Sequence, residues 1–96
     1  MNDVERAIFE EAIIACGSEH QQKKLLEEMA ELQKEICKHW DGAPNLAQIA
    51  DEMADVEIML DQMKLIFHNS GLVHQRREYK VERLLDRITK GVEGRK

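Results

Sequence analysis

The sequence predicts an all-α protein, an antiparallel bundle of about four helices that associates with copies of itself. Three observations carry that expectation. The chain of 96 residues contains five Gly and a single Pro, so few positions force a helix to stop. It is rich in Glu, Lys, Leu, Ala, Met and Gln, side chains that lose little freedom in a helix. Its apolar residues recur at three- and four-residue steps in successive segments, and no alternating run competes as a strand. A chain of this length makes one domain, read here as 1–96, whose high ratio of surface to core favours pairing with a second copy.

The first helix spans about residues 3–16. Its apolar positions Val4, Ile8, Phe9, Ala12, Ile13 and Cys16 are spread widely enough to be covered on more than one side, and Gly17 ends it. Ser18 with Gln21 fits a capping box for the second helix, whose stripe of Leu25, Met29, Leu32 and Ile36 runs to about His39. The segment Trp40-Asp41-Gly42-Ala43-Pro44 is the break. Asn45 with Gln48 offers a weaker capping box, and Ile49, Met53, Val56, Leu60, Met63 and Phe67 trace the third helix to a stop at Asn69-Ser70-Gly71. Val81, Leu84, Leu85, Ile88 and Val92 give the fourth helix its apolar face; Gly91, Gly94 and the basic end predict fraying over about 91–96.

A formal charge of −5 gives no general attraction for a nucleic-acid polymer or an acidic membrane. The start lacks a basic flank followed by an apolar stretch, and no run approaches spanning length, so a cytoplasmic protein is expected. Cys16 and Cys37 stand alone, without a C-x-x-C or zinc-finger spacing, and read as reduced, buried thiols. The four His lie near helix ends, where turns and solvent account for them, and Met29, Met53, Met59 and Met63 occupy core spacings.

The most informative local pattern is a near-repeat. Glu27-Glu28-Met29-Ala30-Glu31-Leu32 is echoed by Asp51-Glu52-Met53-Ala54-Asp55-Val56, an E-x-x-E followed by an E-x-x-D. Residues three apart share a helix face, so Glu28 with Glu31, and Glu52 with Asp55, each present two carboxylates side by side. At about 100° per residue, Glu28 and Glu31 fall roughly 60° and 120° to one side of the stripe centred on Leu25, and Glu52 and Asp55 have the same offsets from Ile49. Antiparallel packing through the two stripes places both pairs on the flank of one seam. Four carboxylates in a half-buried crevice repel one another and lose hydration, a cost relieved by protonation or by a bound cation. No His occupies the third place of either pair, so the donor set is all oxygen and favours a hard ion: Mg2+, with Mn2+ as its substitute, rather than a redox di-iron pair.

Residues 17–67, with E-E-x-x-E-L, a turn and then E-x-x-D in the third helix, resemble the MazG-type all-α nucleoside triphosphate pyrophosphohydrolase superfamily. The resemblance implies cleavage of a nucleoside triphosphate, usually a deoxynucleotide or a modified one, between the α and β phosphates, giving monophosphate and pyrophosphate. It implies Glu28, Glu31, Glu52 and Asp55 as magnesium ligands and Glu27 as the group that orients or deprotonates the attacking water. On an ideal helix Glu27 points well away from Glu28, which leaves Glu35 or a ligand itself as alternatives. The segment Tyr79-Lys80-x-x-Arg83 is similar to the last helix of small members. Arg76, Lys80, Arg83 and Arg87 form one basic stripe there, in which Lys80 and Arg83 are candidates for a phosphate clamp. Trp40 is a candidate to stack on the base, although the tryptophan spacing of deoxycytidine-preferring members is not matched and Met59 stands where some have an aromatic.

Each feature has an ordinary explanation. An acidic pair on a helix is usually a solvated face, a basic stripe keeps a helix in solution and can be neutralised by pairs such as Asp86 with Lys90, and Trp40 at a helix–loop corner reads first as a half-buried plug. The repetition of the acidic pair at one angular phase is what tips the reading to a metal site. The expected function is therefore a Mg2+-dependent nucleoside triphosphate pyrophosphohydrolase acting as a homodimer or dimer of dimers. A phosphoribosyl-ATP pyrophosphohydrolase and a non-catalytic helical interaction module, an adaptor whose acidic face docks a basic protein, are the alternatives.

Overall fold

A computed structural model describes residues 1–94, which form four helices and no strand: α1 (Asp3–Cys16), α2 (Ser18–Trp40), α3 (Leu46–Phe67) and α4 (Ser70–Gly94). The expected fraying concerns residues of which the last two lie outside the described ones, and α4 continues as helix through Gly94.

The junctions differ in detail from the sequence expectation. α1 opens with a capping box: Asn2 Oδ1 accepts from the Glu5 amide at 2.8 Å and Glu5 Oε1 accepts from the Asn2 amide at 2.9 Å. Gly17, at φ 92°, both ends α1, donating its N–H to Ile13 O, and precedes α2. Ser18 is thus already helical and makes no capping box with Gln21; its hydroxyl accepts from Gln22 Nε2 at 3.2 Å, while Gln21 turns inward. Asn45 precedes α3 but does not cap it, so the box with Gln48 is absent too; its side chain reaches back to α2. α3 ends on His68 in the left-handed region, φ 51°, a conformation His tolerates better than most non-glycine residues. Ser70 and Gly71, expected in the turn, are the first residues of α4.

α2 and α3 form the main pair, and they run antiparallel: Gln21 bonds Gln62 at one end and Asn45 bonds Glu35 at the other. α1 packs on both, whereas among the described residues α4 packs against α3 and not against α1 or α2. The radius of gyration is 17.1 Å, with extents of 56 × 37 × 22 Å, against about 13 Å for a compact domain of this size. The buried apolar residues are Phe9, Met59 and Met63. Met29 and Met53, expected in the core, are half exposed, and Cys16 and Cys37, expected buried, are free thiols at the surface. The cause is common to all of these: the apolar stripes exist, but the four helices of one chain do not close over them. On α4, Val81, Leu84, Leu85 and Ile88 are each more than half exposed. Among the described residues no helix is long and apolar enough to cross a membrane.

Candidate metal centre

Three polar rungs cross the α2–α3 seam. On α2 they stand at residues 21, 28 and 35, seven apart and so two turns, or roughly 10 Å, from one to the next. In the first, Gln21 Nε2 donates to Gln62 Oε1 at 2.7 Å, both residues being buried. Gln21 Oε1 also meets His20 Nδ1 at 2.9 Å. In the third, Asn45 Nδ2 donates to Glu35 Oε2 at 2.7 Å and to Glu35 O at 2.8 Å. That amide, helped by Lys38, holds the Glu35 carboxyl below its ordinary range despite partial burial.

The middle rung is of a different kind. Oxygens of Glu28, Glu52 and Asp55 lie within 4.8 Å of one another. Glu28 and Glu52 are partly buried, and Glu52 Oε2 is a buried acceptor without a hydrogen-bond partner. Burial first, then the Glu28 carboxylate and, further down, Asp55 and Glu31, hold the Glu52 carboxyl above its ordinary range. A magnesium ion takes oxygens at about 2.1 Å, so its ligand atoms lie no more than about 4.2 Å apart, somewhat closer than the 4.8 Å limit within which these three lie. The hard all-oxygen donors and the orphaned, buried Glu52 oxygen both fit such an ion.

Of the remaining expected ligands, Glu31 stays outside this trio. It is exposed, one turn along α2 from Glu28, yet near enough for its charge to act on Glu52. Glu27 lies on the outer flank, with its side chain 68% exposed and 3.5 Å from Lys24. Trp40 is 81% exposed and is therefore no plug. It borders an open apolar groove of about 460 Å3, lined by Met29, Leu32, Gln33, Ile36 and Val56, the last of these next to Asp55. Lys80 and Arg83 are on α4, which makes no contact with α2 and so is not packed against the helix that supplies Glu28. There Arg76 and Arg83 lie 4.8 and 6.0 Å from the Tyr79 ring centre, and Asp86 pairs with Lys90 at 3.0 Å.

Two partners escaped the sequence reading. Lys24 Nζ is 3.3 Å from Glu28 Oε1, and the i,i+4 spacing of Lys24 and Glu28 was the available signal. The bond from Asn45 to Glu35 had no local signal, because a residue before a helix that bonds across a seam has the same identity as one that caps its own helix. Compared with known protein families, curated proteins and solved structures, the chain gives no match.

Proposed function

We propose that this protein is a Mg2+-dependent nucleoside triphosphate pyrophosphohydrolase of the MazG-like kind, working as a homodimer or a dimer of dimers. The observation that carries the reading is the middle rung, where oxygens of Glu28, Glu52 and Asp55 converge and the buried Glu52 Oε2 has no hydrogen-bond partner among the described residues. When bound there, the divalent cation supplies charge neutralisation for a polyphosphate and activation of water.

Glu28, Glu52 and Asp55 bind and orient that cation, and the walls of the seam limit access of bulk water to Glu28 and Glu52. Glu35 is unsuited to proton transfer, since Asn45 and Lys38 hold its charged form. Glu27 faces the outer flank, engaged by Lys24. Glu31, one turn along α2 from Glu28 and without an ion-pair partner among the described residues, is in this reading the carboxylate that takes the proton from the attacking water as the α–β anhydride is cleaved. Trp40 and the groove beside it offer an apolar shelf for a base, close to Asp55 in sequence through Val56.

Self-association is supported by the extended shape and by the open apolar faces, above all that of α4. Because α4 does not meet α2 within one chain, Lys80 and Arg83 serve as a phosphate clamp by coming from a second copy.

The test is pyrophosphate release from a panel of triphosphates, phosphoribosyl-ATP included, with and without Mg2+. Turnover on at least one nucleotide is expected only with the metal. It should fall at least about 100-fold in Glu52→Gln, a loss that corresponds to about 3 kcal/mol of transition-state stabilisation. Release that is absent throughout, or undiminished in Glu52→Gln, removes the enzymatic reading. Preference for phosphoribosyl-ATP would redirect the substrate.

A further inference from the structure

We infer that Lys24 is the built-in counter-cation of this site, an ammonium that holds Glu28 in place until a divalent ion takes that carboxylate and that then turns to a substrate phosphate. The inference rests on the metal-site reading above and adds a residue and an order of events to it.

The chain has several one-turn Lys–carboxylate pairs, among them Lys23 with Glu19 and Lys90 with Asp86, and these lie on open surface. Lys38 has a partly buried acceptor too, Glu35, but Glu35 is bonded to Asn45, and the Lys24 pair differs in that its acceptor stands among other acids. Glu28 is only 14% exposed and shares its crevice with Glu52 and Asp55, so the Lys24 ammonium is the one cation in contact with the trio among the described residues. Lys24 is also shared: its Nζ lies 3.3 Å from Glu28 Oε1 and 3.5 Å from Glu27 Oε2. One ammonium shared between Glu28 and Glu27 leaves the trio with an excess of negative charge, which a divalent ion in place of Lys24 offsets more fully.

An ammonium and a divalent cation repel strongly when they compete for one carboxylate in a half-buried crevice. The flexible four-carbon stem lets the Lys24 head leave Glu28 without leaving the neighbourhood, since the side chain is 45% exposed and Glu27 offers it a second anchor one turn away. Glu27 thereby acquires a role that suits its outward position: it retains the displaced ammonium at the rim rather than acting on water. A point charge on a mobile stem at the mouth of a metal–polyphosphate site is well suited to a phosphate oxygen of the incoming nucleotide. Lys24 is in this sense a positioning residue before substrate arrives and a binding residue afterwards.

The experiment is calorimetric titration of Mn2+ into the intact chain without nucleotide, for wild type, Lys24→Gln, Lys24→Arg and Glu52→Gln, followed by steady-state kinetics on the preferred triphosphate. Glu52→Gln should lose at least about tenfold in Mn2+ affinity. Lys24→Gln should bind Mn2+ roughly three- to fivefold more tightly than wild type, because the competing charge is gone. Its KM should rise about tenfold, as expected for loss of one charge-assisted phosphate contact, with a smaller change in kcat. Lys24→Arg, which retains the charge, should bind Mn2+ as wild type does. Unchanged or weaker Mn2+ binding by Lys24→Gln, beside a weakened Glu52→Gln, overturns the role of Lys24 alone. Equal binding by wild type and Glu52→Gln removes the metal site and the Lys24 role with it.

Discussion

The outer rungs of the α2–α3 seam and its middle rung are spaced evenly along α2, the third reaching Asn45 just before α3, yet they are built on different terms. Gln21 with Gln62, and Glu35 with Asn45, bring donors to acceptors at 2.7 Å. Glu28, Glu52 and Asp55 bring carboxylate to carboxylate; Asn45 Oδ1 in the third rung is also buried without a donor, but it belongs to a neutral amide whose Nδ2 is bonded, whereas the orphaned Glu52 oxygen sits beside other acids. Buried polar groups in folded proteins are ordinarily paired, and an unpaired one costs stability. The outer rungs set how the helices sit against each other, and that fixed frame is what holds three like charges together between them. The difference separates residues that make the hairpin from residues the hairpin restrains.

This contrast is sharpest in thermal stability. Gln62→Ala leaves the buried Gln21 amide without its partner and should cost about 1–3 kcal/mol, seen as a fall of several degrees in Tm. Glu52→Gln should act in the reverse direction: in metal-free buffer it relieves repulsion and raises Tm, and it abolishes any stabilisation by added Mg2+. A Tm for Glu52→Gln that falls as far as that of Gln62→Ala would erase the distinction between the rungs.

Acid–base behaviour offers a second way to break it. Glu52 has its carboxyl pKa raised in the fold. The native state therefore retains a proton that the unfolded chain has lost, and metal-free stability should decline as pH rises from the ordinary carboxylate range through the raised value. Glu35 has its pKa lowered. Its contribution is present above the ordinary range and is lost as pH falls through the lowered value. Melting curves across this range should show the upper decline vanish in Glu52→Gln and the contribution lost on the acid side vanish in Asn45→Ala. Both features persisting in both variants would mean that neither rung is responsible. The smallest effect concerns the margin of the seam. Addition of a triphosphate with Mg2+ should shift the emission of Trp40, the sole tryptophan, because its indole is open to solvent beside the groove; an unmoved spectrum separates that groove from the acidic site.

The helices were legible because their signals are local. Residues 3–16 carry a 3.6-residue pattern closed by Gly17, and the helix is found at Asp3–Cys16. The acidic rung was legible in part from angular phase. Glu28 and Glu52, the members of each pair nearer the apolar stripe, reach the seam together and are partly buried; Asp55 and Glu31, at the wider angle, are both exposed, and of these Asp55 comes within reach of the other two. Periodicity does not say which surface an apolar stripe covers. Val81, Leu84, Leu85 and Ile88 have the same pattern whether they face their own chain or another, so the departure of α4 from the rest had no local signature. Asn45 was misread for a similar reason, since its helix-start position concealed a cross-helix bond.

The corner between α2 and α3 has the quality of a ruler. Because Asn45 is tied to Glu35 at its base, the number of residues from Asp41 to Pro44 fixes which carboxyl of α3 comes level with Glu28 two turns away. Deleting one of those residues changes no acid, yet it obliges Asn45 to abandon its anchor or Glu52 to slip past Glu28. A length measured at one end of the hairpin thus dictates spacing at its centre.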